Sequence, residues 1–276
     1  MRSVEENSPP EAGTESGTVS QTARDPHPPF TVLRPQGDPR ILIICDHACN
    51  YVPPEYDNLG LPATEFHRHI AWDIGAADVT RALSDYLDAP AVLSGFSRLL
   101  IDPNRGSDDP TLVMKLSDGA IIPGNRHVSE AELSHRVTGF YQPYHDAIAE
   151  RLRIARAAGI APVLISVHSF TPVFHGHERP WHVGILWDRD ARIAGPLIDA
   201  LRRDPQLCVG DNAPYSGELV GDSMNRHGTN TGLAHVLIEL RQDLIDTPEG
   251  ARRWAKRLAG ELQPILARQS AGPVGE

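Results

Sequence analysis

Two histidines and a glutamate stand within or at the ends of apolar runs in this 276-residue chain. His47 follows Ile41-Leu42-Ile43-Ile44-Cys45 and the acid Asp46, with Asn50 three residues further on. His168 closes the β-branched run from Pro162 to Val167, and Glu239 lies inside His235-Val236-Leu237-Ile238-Glu239-Leu240-Arg241. Short apolar runs of this kind read as buried strands. Ligands of open α/β sheets bind at the carboxyl ends of such strands. Two imidazoles and one oxygen donor suit Zn2+, or another divalent metal, with a position left for water. Asn50 by its spacing and Asp46 by its charge both offer that oxygen. A carboxylate beside the metal takes the proton of a water whose pKa is lowered towards ~7. Glu239 is placed for that role and for returning the proton to a leaving amine. Arg105 and His227 are candidates for stabilising the oxyanion.

These residues need a frame that brings distant strand ends together. A helix is expected from about Asp73 to Asp88, on the spacing of Ala76, Val79, Leu83 and Leu87. Asp73 opens that helix, either as its N-cap or as part of the site. A strand follows at Ala91–Ser94. Residues 96–128 read as a long loop with a short strand at Leu99–Ile101, and two Asn-Arg pairs in it, Asn104-Arg105 and Asn125-Arg126, point to function. Ser129 and Glu132 have capping-box spacing. The helix they open must be kinked or divided at Pro143. Strands are expected at 162–167, 183–187 and 235–241, with helices at about 190–204 and from Pro248 onward. The alternation predicts an α/β fold: a three-layer αβα domain with a mainly parallel or mixed sheet. Residues 1–35, rich in Pro, Ser, Thr, Gly and Glu, read as a disordered tail with a possible edge strand at 30–33. One catalytic domain then spans 36–270, and 271–276 form a polar tail.

Composition narrows the chemistry. A net charge of −10 argues against nucleic acid as a partner but leaves room for a small anionic substrate in a local basic pocket. Three cysteines are too few for a disulfide framework, and no apolar run reaches the ~20 residues of a membrane helix. A cytoplasmic protein without membrane contact is the expectation. There is no Gly-rich phosphate loop and no Gly-x-Ser-x-Gly elbow.

Seven strings, in order, carry a resemblance: Cys45-Asp46-His47-Ala48-Cys49-Asn50, Trp72-Asp73-Ile74-Gly75-Ala76, Asp102-Pro103-Asn104-Arg105, His168-Ser169-Phe170-Thr171-Pro172, Arg179-Pro180-Trp181, Asn225-Arg226-His227-Gly228 and Ile238-Glu239-Leu240-Arg241-Gln242-Asp243. Over about residues 40–265 the chain resembles the N-formylglutamate amidohydrolase family. That resemblance implies hydrolysis of the N-formyl amide of N-formyl-L-glutamate, or of a similar small N-acyl acidic amino acid, on a zinc-exopeptidase (phosphorylase/hydrolase)-like fold. A more distant likeness to zinc carboxypeptidases implies His47, His168 and a third ligand on the metal, Asn104-Arg105 at a substrate carboxylate and Glu239 as base. It departs at Asn50, where the pattern has a carboxylate. A substrate with two carboxylates calls for more than one arginine, and Arg105, Arg126, Arg179 and Arg226 are the candidates. The alternatives are a carboxypeptidase-like or deacylase activity on another small amide, or a non-catalytic ligand-binding member of the fold.

Overall fold

Ile41, Ile43 and Cys45 point to one side of a central sheet, and Leu42 and Ile44 point to the other. Both sides are dry, so the strand is apolar at every position. The computed structural model describes residues 27–269. Residues 1–26 of the tail expected at 1–35, and the whole of the tail expected at 271–276, lie outside the described residues. The strands are β1 (Phe30–Leu33), β2 (Ile41–Cys45), β3 (Ala91–Ser94), β4 (Leu116–Ser117), β5 (Ala120–Ile121), β6 (Val163–Phe170), β7 (Val173–Phe174), β8 (His177–Glu178), β9 (Val183–Leu186), β10 (Val209–Asp211) and β11 (His235–Arg241). The helices are α1 (Ala76–Leu87), α2 (Glu130–Arg136), α3 (Gln142–Ala157), α4 (Ala194–Leu201), α5 (Ser223–His227) and α6 (Pro248–Gln269).

Seven strands form one mixed sheet in the order β1-β3-β2-β6-β11-β9-β10. β3, β2, β6 and β11 run parallel, while β1 and β9 oppose their inner neighbours. Helices α1, α4 and α6 cover one face, where Leu83, Leu197, Trp254, Leu258 and Leu262 meet Ile43, Ile165, Ile185 and Ile238. Helix α3 covers the other through Tyr144, Ile148 and Leu152, together with the loops around Phe66, Ile70 and Phe96. Each fully buried Leu or Ile contributes about 1.5–3 kcal/mol to holding these layers together. The result is the three-layer mixed sheet expected from the sequence. No helix among the described residues is long and apolar enough to cross a membrane.

Three local features matter for the site. The edge strand entertained at 30–33 is found as β1, paired with β3, so the sheet begins at Phe30, within the stretch that otherwise reads as a tail. Leu99–Ile101 is buried but is not a strand: Asn125 Nδ2 donates to Leu99 O at 2.8 Å and Arg136 Nη1 to Leu100 O at 2.9 Å. Side chains thus satisfy the carbonyls that a neighbouring strand would otherwise bond. The helix opened by Ser129 is capped as expected, with its hydroxyl accepting from Glu132 N. It runs into α3 through one turn of π-helix at Val137–Tyr141, and Pro143 sits in the first turn of α3, where its missing N–H costs little.

Candidate active site

β2, β6 and β11 are consecutive in the sheet, and their carboxyl ends carry the residues singled out above. Glu239 is the direct register partner of His168, and His47 follows the end of β2 on the other side of β6. The segment between β2 and α1 returns to the same place because Asp73 N donates to His47 O at 2.9 Å. Gly75 then turns the chain into α1 with φ +80°, and a Cβ there would lie 2.3 Å from Ile245 O. Ser169 Oγ ties this turn to the end of β6 by donating to Ile74 O at 2.9 Å.

The side chain of Asp73 therefore does not cap α1. Its Oδ2 lies 2.7 Å from His168 Nδ1 and 3.3 Å from His47 Nδ1. All three side chains are buried, and their ligand atoms lie within 4.8 Å of one another. The outer nitrogens of both rings face carboxylates: His47 Nε2 meets Asp102 Oδ1 at 2.7 Å, and His168 Nε2 meets Asp46 Oδ2 at 3.0 Å. A proton held on each Nε2 leaves each Nδ1 lone pair directed at Asp73 Oδ2, the arrangement that carboxylate–histidine pairs give to metal ligands. Two imidazole nitrogens and one carboxylate oxygen, with no competing lysine, fit a divalent transition metal such as Zn2+.

The third donor in this arrangement differs from both residues expected for it. Asn50 turns away, its Nδ2 donating to Phe66 O at 2.7 Å. Asp46 has no oxygen to spare: Oδ2 takes His168 and Ser166 Oγ, and Oδ1 takes Tyr144 OH at 3.0 Å and the Ser223 hydroxyl. Spacing from His47 could not reveal Asp73, because the chain leaves the site and comes back over 26 residues. Burial pushes the carboxyls of Asp46, Asp73 and Asp102 up, but the histidines, and Arg98 for Asp102, overcome it and hold all three well below the usual carboxylate range. Burial likewise lowers the pKa of His168, while its bonds to Asp46 and Asp73 raise it well above the ordinary value. A proton on Nδ1 and a cation compete for the same lone pair.

Glu239 is of another kind. It is 6% exposed, its Oε2 is buried without a hydrogen-bond partner, and burial pushes its pKa up to about 7. A buried carboxylate whose pKa is raised to near neutrality by burial can take up or give up a proton there.

The remaining candidates divide. Arg179 lies 5.8, 4.6 and 5.1 Å from the ring centres of Phe170, Phe174 and Tyr215, and its Nη1 donates to Tyr215 OH at 2.9 Å. Tyr215 is brought there by two glycines in register, Gly184 and Gly210, across which Ala213 O passes so closely that a Cβ would lie 2.2 or 2.3 Å from it. Arg226 lies against Tyr141 and donates to its hydroxyl at 3.3 Å. Among the described residues no carboxylate stands within ion-pair distance of Arg105, Arg179 or Arg226. Arg105, however, is folded onto Asn104 O and Thr111 Oγ1. Asn104 is a brace, its Oδ1 accepting from Ser223 N at 3.1 Å. Arg126 is exposed, and its neighbour Asn125 is buried scaffolding held by Arg136 at 2.7 Å. His227 faces not the His47-Asp73-His168 cluster but His145, Nε2 to Nδ1 at 2.9 Å. Burial pushes His145 down to about 3 and His227 to about 4, so both are neutral.

The model of the N-formylglutamate amidohydrolase family matches residues 40–246. The chain belongs to that family. Family membership makes it a hydrolase of the N-formylglutamate amidohydrolase type. It is also similar to a gene product of Agrobacterium tumefaciens of known crystal structure, with 35% identity over 88% of this chain and 96% of that one, and a TM-score of 0.84. The N-formylglutamate amidohydrolase of Ralstonia eutropha JMP134 shares the fold at 21% identity, over 88% of this chain and 99% of that one, with a TM-score of 0.62. Comparison with curated proteins finds no match. The family's matched region contains every residue of the buried cluster and Glu239.

Proposed function

We propose that this amidohydrolase is metal-dependent and cleaves the N-formyl amide of N-formyl-L-glutamate, or of a similar small N-acyl acidic amino acid, to the free acid and amine. The observation that carries the reading is the partnerless Glu239 Oε2 on the strand next to a buried His47-Asp73-His168 cluster. His47 Nδ1, Asp73 Oδ2 and His168 Nδ1 would hold Zn2+ or another divalent cation. Bound there, the cation supplies Lewis-acid polarisation of the amide carbonyl and acidifies the attacking water.

The protein's own groups do the rest. Glu239 takes a proton from the water as it adds to the formyl carbon and delivers it to the nitrogen as the C–N bond breaks. Asp46 and Asp102 keep the two imidazoles in the ligating tautomer. Arg179 offers a substrate carboxylate a guanidinium already ordered by three aromatic rings, so little side-chain entropy is lost on binding. Arg226 is the second anion-binding candidate, on the α5 side.

The test is to purify the full chain without chelator, measure its metal content, and assay formate release from N-formyl-L-glutamate. Metal together with formate supports the proposal. Metal without formate points to another small amide, and neither points to a ligand-binding member of the family.

A further inference from the structure

Arg98 belongs to no motif and to none of the roles above, yet it stands behind the cluster. Its Nη2 donates to Asp102 Oδ2 at 2.8 Å, and its Nη1 makes a 3.6 Å ion-pair contact with Asp73 Oδ1. Asp102 Oδ1 holds His47 Nε2, and Asp73 Oδ2 faces His47 Nδ1. The four side chains close a ring: Arg98 to Asp102, Asp102 to His47, His47 to Asp73, and Asp73 back to Arg98. The two oxygens of Asp73 are thereby divided. Oδ2 faces the imidazole nitrogens and Oδ1 faces the guanidinium. Both ends of the ring are pinned to one carbonyl, since Arg98 N and Ser97 Oγ donate to Ala71 O, two residues before Asp73.

We propose that Arg98 is a positioning residue that occupies Oδ1 of Asp73, so that this carboxylate binds the cation through Oδ2 alone and leaves coordination positions for water and substrate. The inference rests on the metal-dependent reading. A carboxylate is able to bind through one oxygen or two, and a second metal–oxygen bond from Asp73 would take the place of a reacting ligand. Charge supports the same role. Asp46, Asp73 and Asp102 are buried together, and among the described residues Arg98 is the only arginine in ion-pair contact with any of them. Arg98 and a divalent cation together balance the three carboxylates.

The experiment uses the full chain with the resident metal removed and Co2+ added, comparing wild type, Arg98→Met, Arg98→Lys and Asp102→Asn. Visible absorption of Co2+ is intense at four coordination and weakens as ligands are added. Wild type is expected to show the intense bands. Arg98→Met should bind Co2+ about 10–100-fold more weakly and show weaker bands, with kcat lowered and KM within about threefold. Arg98→Lys, able to hold one carboxylate but not both, should fall between. Wild-type bands and affinity in a folded Arg98→Met overturn the inference. If Arg98→Met fails to fold, Arg98→Lys decides by the same spectrum, and wild-type bands in it overturn the proposal too. Asp102→Asn breaks the other side of the ring and should weaken Co2+ binding without adding a ligand to the spectrum; an added ligand there would mean that Asp102, not Arg98, governs Asp73. Failure of wild type itself to bind Co2+ overturns the metal-dependent reading and this inference with it, a result distinct from a failure confined to the variants.

Discussion

Asp73 and Asn50 offer the sharpest contrast between neighbours of His47. Asp73 shares its Oδ2 with both Nδ1 atoms, whereas Asn50 is spent on the Phe66 carbonyl. Asp73→Ala is expected to lose bound metal and all measurable turnover, and Asn50→Ala to retain metal at wild-type stoichiometry; metal analysis of both proteins checks this. Glu239→Gln should lower kcat by about 10²–10⁴-fold while metal stays bound. The same substitution has a pH signature in protein stripped of metal. Burial raises the pKa of Glu239 from 4.5 to about 7, so its contribution to stability is fully present below 4.5 and is lost as pH rises to 7. The difference in stability between Glu239→Gln and wild type should therefore grow in favour of the glutamine over that window, by up to about 3 kcal/mol, and stay constant above it. A flat difference from pH 4 to 8 in thermal melts would contradict the raised pKa.

The strands that carry His47, His168 and Glu239 were readable because each is an apolar run interrupted by a polar residue that has no business in a core. β11 was expected and found at 235–241, and the neighbouring strand ends meet as the alternation of elements requires. What could not be read depends on long-range closure. Asp73 looked as much like a helix cap as a site residue, because nothing local shows that Gly75 supplies the turn and frees the carboxylate. Arg98 gave no signal, since an arginine in a loop is ordinarily a surface residue until two acids from other segments arrive beside it. Conversely, Asn125-Arg126 had the form of a substrate-binding pair, but its Asn125 braces Leu99 and Met114 while Arg126 is exposed. The Gly184–Gly210 pair was also missed, and it makes an element-scale prediction. Gly184→Ala would drive a Cβ into the Ala213 carbonyl, destabilising the protein by about 1–3 kcal/mol and shifting Tyr215 from Arg179. A lowered melting temperature and a raised KM for an acidic substrate, with kcat less affected, are the expected readings.

On the scale of the whole molecule, the cluster fastens three separate parts of the chain: the end of β2, the entry to α1 and the end of β6. A cation that binds only the folded form stabilises it by about 2.7 kcal/mol at a free concentration of 100 times Kd. For a domain of this size that corresponds to a rise of very roughly 5–10 °C. Chelation should lower the melting temperature by that amount and a divalent cation should restore it; Asp73→Ala should melt at the same temperature with or without chelator. The opposite face of the site depends on α3, which sends Tyr144 to Asp46 and His145 to His227. That helix is phased by the π-turn at Val137–Tyr141, which adds one residue to an otherwise α-helical path. Successive residues of an α-helix are about 100° apart, and the wide turn absorbs the rotation that the extra residue would otherwise add. Wound as regular α-helix over the same length, this stretch would carry Tyr144 and His145 about 100° off the site, with every side chain of the sequence motifs still present. The width of one turn between residues 130 and 142 is therefore itself a functional parameter, invisible to any inspection of residue types alone.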